Sequence, residues 1–256
     1  MEINKIYNED CIIGMSTLPD NSVDCIICDL PYEITQCKWD KIIPLDQMWE
    51  QINRIAKVNA AIVLFGAEPF SSKLRLSNIK NFKYDLIWNK KRPTGQLNAK
   101  IRPLSQHEVI SVFYKKKCTY NPIMHQNRLK REFIGKSYKS KKQSDNYGNQ
   151  YDYESNIAND SMSYPRSIIE QTAVIGNSVE KVNHPTQKPV ALIEYLIRTF
   201  SNENDIVLDF CIGSGTTAVA AINTSRNYIG FETDKTYYQI ACDRIRDTLR
   251  EPRLSI

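Results

Sequence analysis

Short apolar runs alternate along the chain with segments whose apolar residues return every third or fourth position. Val23-Asp24-Cys25-Ile26-Ile27-Cys28 reads as a buried strand. Residues 46–58 carry Met48, Trp49, Ile52, Ile55 and Ala56 at helical spacing, and residues 60–65 form a second apolar run ending at Gly66. Residues 84–88 and 109–114 read as two further strands. After Pro189, the residues Val190, Ile193, Leu196, Ile197 and Phe200 make a helical stripe. Ile206-Val207-Leu208-Asp209-Phe210 is then a strand, 216–223 a helix, Tyr228-Ile229-Gly230-Phe231 a strand and 236–250 a closing helix. Such alternation predicts an α/β fold, a mostly parallel sheet with helices on both faces.

Residues 115–182 break the pattern. They are polar, rich in Lys, Asn, Ser and Tyr and poor in branched apolar residues, so a loop-rich insertion is expected there. With 256 residues, 41% of them hydrophobic, the chain suits one α/β domain over 1–256 that contains this insertion, and it excludes a disordered or collagen-like polymer. No apolar run approaches the ~20 residues of a membrane helix. The opening Met1-Glu2-Ile3-Asn4-Lys5 carries no signal segment. A soluble, cytoplasmic protein is the expectation.

Charge sharpens this picture. Residues 1–82 carry 8 Lys and Arg against 11 Asp and Glu, residues 83–142 carry 16 against 3, and residues 143–256 carry 10 against 15. The net +5 therefore hides a basic island in an acidic chain. Lys90-Lys91-Arg92, Lys115-Lys116-Lys117, Arg128-x-Lys130-Arg131 and Lys141-Lys142 lie in it, with Tyr114, Tyr120, Phe133 and Tyr138 interleaved. Phosphate binding accounts for that density, since each cation on a phosphate releases a counterion. A solvated surface is the plain alternative. Lys90, Lys91, Arg92, Lys115, Lys116, Lys117, Arg128, Lys130 and Arg131 are the candidate nucleic-acid contacts.

Seven cysteines, Cys11, Cys25, Cys28, Cys37, Cys118, Cys211 and Cys242, mostly sit in apolar runs. Cys25-x-x-Cys28 has no second pair at zinc spacing, so no metal is expected and the thiols read as small buried apolar groups.

Asp209-Phe210-Cys211-Ile212-Gly213-Ser214-Gly215-Thr216-Thr217 follows a strand and opens a helix. The glycines allow a sharp turn and a close ligand approach, and the helix start offers free N–H groups. Glu232, at the end of the next strand, can accept hydrogen bonds from both hydroxyls of a ribose. The stretch fits a nucleoside cofactor but does not separate NAD from S-adenosylmethionine, since Gly213-x-Gly215-x-x-Ala218 also satisfies the loose dinucleotide pattern.

Val23-to-Cys28 runs directly into Asp29-Leu30-Pro31-Tyr32, which sets an acid, a backbone carbonyl and an aromatic ring at the carboxyl end of a strand. Methylation of an exocyclic base amine wants those groups. The amine is a poor nucleophile, and the Asp29 carboxylate and Leu30 carbonyl can each accept one of its N–H groups. A hydrogen bond to a charged partner is worth roughly 1.5–3 kcal/mol. Tyr32 can stack on the base for about 1–3 kcal/mol, and Pro31 fixes the backbone. A strand that simply ends in a turn is the other reading of this tetrapeptide.

Together the two motifs resemble the β class of amino-type DNA methyltransferases, in which an Asp/Ser/Asn-Pro-Pro-Tyr motif lies early and a Phe-x-Gly-x-Gly motif late. Asn8-Glu9-Asp10-Cys11, His184-Pro185-Thr186-Gln187-Lys188-Pro189, Tyr228-Ile229-Gly230-Phe231-Glu232, Tyr84-Asp85-Leu86-Ile87-Trp88-Asn89-Lys90 and His107-Glu108 are similar to further family segments. The likeness leaves only about 115–182 unmatched, as a target-recognition insertion would be. It implies a Rossmann-like, S-adenosylmethionine-dependent methyltransferase fold. It implies Asp29, Leu30, Pro31 and Tyr32 as the catalytic segment. Cofactor contacts would come from Asp10, Asp29, His184, Thr186, Lys188, Asp209, Phe210, Gly213, Ser214, Gly215, Thr216, Thr217 and Glu232. It also implies double-stranded DNA as partner and a flipped base methylated directly, with no metal and no covalent intermediate. A homodimer and a separately acting restriction endonuclease are the protein partners it leaves open.

Leu30 stands where the family has Pro, and the needed carbonyl is retained. Phe210 follows Asp209 directly where the family often has Asp-Pro-Phe. Asp at position 29 leans towards adenine N6 over cytosine N4, while the absence of a Pro-Cys pair argues against carbon-5 methylation. An NAD-dependent oxidoreductase would leave the Asp29 segment and the basic island idle, and a DNA-binding protein without catalysis would leave Asp29 idle. Glu33 to Asp40, with Trp39, is a candidate loop to close over the base.

Overall fold

The computed structural model describes residues 2–32, 42–126 and 162–250. The chain opens with β1 (Lys5–Tyr7), α1 (Cys11–Ser16) and β2 (Val23–Asp29), followed by α2 (Leu45–Ile55), β3 (Ala56–Gly66) and α3 (Phe70–Ser77). A long hairpin, β4 (Phe82–Thr94) and β5 (Ser105–Phe113), comes next. The strands β6 (His125–Gln126), β7 (Met162–Ser163) and β8 (Ile168–Glu170) are short. The chain continues through α4 (Val190–Phe200), β9 (Ile206–Asp209), α5 (Thr216–Asn223), β10 (Asn227–Phe231) and α6 (Lys235–Arg250).

Eight strands form one sheet in the order β1-β10-β9-β2-β3-β5-β4-β8. All neighbours are parallel except that β5 runs antiparallel to both β3 and β4. The α/β class and the mostly parallel sheet expected from the alternation are therefore present.

Side-chain alternation explains the layers. In β2, Cys25 and Ile27 point to one face, where Leu192, Leu196 and Phe200 of α4 and Ala220 of α5 meet them. Ile26 and Cys28 point to the other, among Met15 of α1, Met48 and Ile52 of α2 and Leu74 of α3. A strand buried on both faces must read as a continuous apolar run. The same alternation sends Cys25 and Cys28 to opposite faces, so the pair cannot share a metal ion, and no metal-holding cluster occurs among the described residues.

The chain leaves β2 through α2 to reach β3 on one side and leaves β9 through α5 to reach β10 on the other. The sheet thus switches direction between β2 and β9. In open α/β sheets ligands bind in the crevice at the carboxyl ends of strands at such a point.

Several elements differ from expectation. The helix expected over 46–58 stops at Ile55, because Ala56 turns extended and β3 takes over, with Val23 paired to Ala56 and Lys57 Nζ bonded to Asp24 at 2.6 Å. Strand pairing overrides the local pattern there. β1, α1, α3 and β8 are too short to show a period. The polar stretch expected as one insertion over 115–182 is divided. A compact unit spans Pro122–Pro165, and its described residues form the antiparallel pair β6–β7. Residues 115–121 and 166–182 cluster with the sheet-bearing unit, and β8 pairs with β4. No helix among the described residues is long and apolar enough to cross a membrane.

Candidate active site

A cavity of about 640 Å³ opens at the switch point. Asp29 to Tyr32 leave β2 on one wall, and Phe210, Cys211 and Gly213 leave β9 on another. Phe231 and Glu232 come from the end of β10, His184 to Lys188 from the segment before α4, and Trp88, Lys90 and Glu108 from β4 and β5.

The half-buried Asp29 carboxylate sits in a charge cluster with the buried Lys188 and Lys90 and the half-buried Glu108. Lys188 Nζ donates to Asp29 Oδ2 and lies 3.3 Å from Glu108 Oε2, while Lys90 Nζ lies 3.4 Å from Glu108 Oε1. Burial pulls the pKa of the Lys188 ammonium down, but the carboxylates of Asp29 and Glu108 outweigh it and raise the pKa above the ordinary lysine value. Burial pushes Asp29 above the usual carboxylate range; Lys188 pulls it back and the Glu108 charge adds to the push. Burial also pushes on Glu108, yet the two ammonium groups, Lys188 and Lys90, hold it below the usual range.

Tyr32 donates its hydroxyl to Asp29 Oδ1, and its ring centroid lies 5.3 Å from that of Phe70. Burial and the Asp29 charge raise the phenol, which stays protonated. Leu30 is buried among the α1, α2 and α3 side chains. An apolar anchor thus stands where the resembled family has a ring.

The glycine turn meets the needs of a close ligand approach. Gly213 has φ +53°, and a Cβ there would stand 3.0 Å from His184 Nε2. Glu232 accepts from Gly213 N at 2.9 Å and from Asp234 N at 2.8 Å, which ties the end of β10 to the turn. Each carboxylate oxygen keeps a free lone pair, so two hydroxyls could still bind. Burial raises the Glu232 pKa. Asp10 caps α1 by accepting from Ile12 N at 2.8 Å and also lines the cavity. His184 packs against Tyr237 with centroids 4.4 Å apart. Burial first, then Lys181, Lys188 and Arg244, lower its pKa to about 4, so the ring is neutral at pH 7.

Of the residues singled out in the sequence, Asp10, Asp29, Leu30, Pro31, Tyr32, His184, Thr186, Lys188, Phe210, Gly213 and Glu232 share this one cavity. Asp209, Ser214, Thr216 and Thr217 line a small adjoining cleft of about 40 Å³ instead. Asp209 accepts from Cys211 N at 3.1 Å and from Thr217 Oγ1 at 2.5 Å, and Arg244 Nη1 donates to Ser214 O at 2.8 Å. These groups brace the turn from behind. Gly215 does not line the cavity either; it packs against Ala241, whose Cα would stand 3.0 Å from an added Cβ.

The basic island needs correction. Lys90, expected on a phosphate, is buried and paired with Glu108 in the cavity wall, because strand alternation turns it to the same face as Trp88. Lys91 and Arg92 are exposed, and Lys91 pairs with Glu170 at 3.1 Å. Lys115, Lys116 and Lys117 are exposed and stand at the end of the sheet away from the cavity. β5 is antiparallel, so the chain leaves it beside the start of β3, where Lys115 Nζ bonds Asn53 O at 2.6 Å and Lys116 N bonds Val58 O at 3.3 Å. Asp29 is level with Phe65, seven residues further along β3, about 23 Å away at the rise of a strand. Arg128, Lys130, Arg131 and the Glu33-to-Asp40 loop with Trp39 lie outside the described residues.

Sequence reasoning missed Glu108, Trp88 and Tyr237 as site residues. Their one available signal was parity: Trp88 and Lys90 share a face, and Glu108 pairs with Trp88 across the hairpin.

A DNA methylase family model matches residues 23–243. The type II methyltransferase M.BglII of Bacillus subtilis is 30% identical over 259 residues, which cover 93% of this chain and 68% of that protein. The DNA adenine methyltransferase YhdJ of Escherichia coli (strain K12) is 26% identical, covering 95% of this chain and 83% of its own. Among solved structures, an M1.HpyAVI–SAM complex is 27% identical with a TM-score of 0.61, covering 94% of this chain and 98% of that one. The cytosine-N4-specific PvuII DNA methyltransferase shares the fold at 17% identity and a TM-score of 0.66, covering 95% of this chain and 90% of its own.

Proposed function

The chain belongs to the DNA methylase family, and on that premise we propose that it methylates the exocyclic N6 amine of adenine in double-stranded DNA. S-adenosylmethionine is the methyl donor, and it supplies an electrophilic methyl group on a sulfonium. One observation carries the reading: the half-buried Asp29 carboxylate borders the same cavity as Gly213 and Glu232.

Cofactor binding falls to the Gly213 side. Gly213 leaves the space that a Cβ would fill, Glu232 offers acceptors to a ribose, and Asp10 and His184 border the rest. The nicotinamide alternative falls away with the family match.

Amine activation falls to Asp29. Its carboxylate has about four lone-pair sites, of which Tyr32 and Lys188 occupy two. One of the others accepts an amine N–H, and the Leu30 carbonyl accepts the second. Lys188 keeps Asp29 ionised so that it remains an acceptor. Such a preorganised charge in a desolvated site is worth more than the same charge in water. Tyr32 stacks on the flipped base, which offsets the few kcal/mol of extrusion.

Adenine is favoured by Asp at position 29 and by the adenine-methylating relative YhdJ. Incubating the protein with tritiated S-adenosylmethionine and unmethylated genomic DNA, then analysing nucleosides, tests this. N6-methyladenine is expected. N4-methylcytosine would replace the target with cytosine, and no incorporation would overturn both.

A further inference from the structure

The β4–β5 hairpin borders the cavity from Trp88 to Thr94, the last residue of β4. Asp29 is level with Phe65 on β3, and Phe65 with Ile110 on β5. Pairing resumes at Thr94–Ser105 after an irregularity between Asn89 and Thr94, and Thr94 still lines the cavity. The tip that closes the hairpin, residues 95–104, begins at the next residue. Backbone bonds order it: Asn98 N donates to Gly95 O at 2.9 Å, and Ile101 N and Arg102 N both donate to Asn98 O at 3.0 Å.

This tip has an unusual surface. Leu97 is 102% exposed and Ile101 81%. Close to them in sequence stand Arg92, Lys100 and Arg102, all exposed; Lys91 pairs with Glu170, and no Asp or Glu occurs from 91 to 104. Large apolar side chains set among cations, on a tip that departs from the cavity wall, fit a polyanion that also has an apolar interior to offer.

We propose that the β4–β5 tip is a DNA-docking arm, with Leu97 and Ile101 as apolar wedges that enter the duplex beside the target base. The inference rests on the reading of the cavity as a base-accepting site. A duplex that delivers a base to Asp29 comes to a cavity whose wall includes Thr94, the residue from which the tip departs. Arg92, Lys100 and Arg102 take backbone phosphates, and the two apolar side chains occupy the space between base pairs that extrusion opens. A second copy of the chain suits the tip less well, since a two-fold contact would press the same three cations against one another.

The test compares native and heat-denatured unmethylated genomic DNA as methyl acceptors for the Leu97→Ser/Ile101→Ser double variant. Both side chains are exposed, so folding is not at stake. If they assist extrusion, native-duplex turnover falls about tenfold or more while turnover on denatured DNA changes less than about threefold, because a single strand has no stack to open. The affinity for S-adenosylmethionine stays as in the wild type. The companion variant Lys100→Gln/Arg102→Gln lowers the slope of log K against log salt for a labelled duplex by about two. Equal effects on native and denatured DNA, or none on either, would overturn the wedge. Loss of a dimer in sedimentation with native turnover intact would make the tip a contact between copies and overturn it too. A wild type that methylates neither DNA sinks the methyltransferase reading instead, and the salt slope of duplex binding then judges the arm by itself.

Discussion

Lys188, just before α4, donates a hydrogen bond to the carboxylate of Asp29 at the end of β2, across 159 positions of sequence. The resemblance had implied Lys188 only as a cofactor neighbour. In the structure it lines the cavity and its ammonium also balances two half-buried carboxylates, so the charge state of Asp29 depends on it.

Asp29→Asn removes the charge but keeps the shape. Methyl transfer should fall about 10²–10³-fold, the usual loss when one preorganised electrostatic partner of a transition state goes. Calorimetric binding of S-adenosylmethionine should change little, since Gly213 and Glu232 are untouched. Near-normal turnover would refute the assignment of Asp29.

Lys188→Met should move the acid limb of the kcat/KM profile to higher pH. Activity needs ionised Asp29 and so is lost as pH falls through its pKa, which burial already holds above the usual carboxylate range. Removing the ammonium removes the group that pulls it down, so the limb rises by about one unit or more. Lys188→Arg keeps the charge and should leave the limb near its wild-type position. A limb that does not differ between the two variants would show that Lys188 does not govern Asp29.

Asp209 gives a stability prediction. Burial pushes its pKa up to about 7, so the folded chain holds a proton that the unfolded chain, near 3.9, does not. Its contribution is therefore fully present at low pH and is lost as pH rises through 7. Relative to Asp209→Asn, the wild type should gain up to ~1.4 kcal/mol for each pH unit between about 7 and 4. Denaturant melts of both proteins across that range should show the gap; a constant difference would mean that Asp209 does not titrate there.

Lys115, Lys116 and Lys117 should be silent. Replacing all three by Gln should leave the salt slope of duplex binding unchanged, because they stand at the amino end of β3, away from the cavity. Arg92→Gln should reduce that slope by about 0.9, the value of one phosphate contact. The opposite pattern in fluorescence titrations would put DNA on the other end of the sheet.

Much of the site was readable because each of its two main motifs is contiguous. Asp29 to Tyr32 and Phe210 to Gly215 each follow an apolar run that can only be a buried strand, so the chemistry and its position at a strand end come from the same few residues. Glu108, Trp88 and Lys90 were not readable in that way. They reach the cavity through the pairing of Trp88 with Glu108, and register between strands leaves no mark in either strand alone. Thr216 and Thr217 line the smaller cleft beside the cavity, since a residue beside a glycine turn can face the ligand or brace the turn.

Local order thus decided which segments become strands and helices, and it marked the strand ends that carry reactive groups, because periodicity and turn chemistry act over a few residues. Strand order and direction decided the rest. One antiparallel strand, β5, carried a lysine cluster to the far end of the sheet and set the 95–104 tip next to the cavity wall at Thr94. Burial then decided charge: Asp29, Lys188 and Glu108 are ordinary side chains apart, and only their convergence out of water makes each one's ionisation depend on the others.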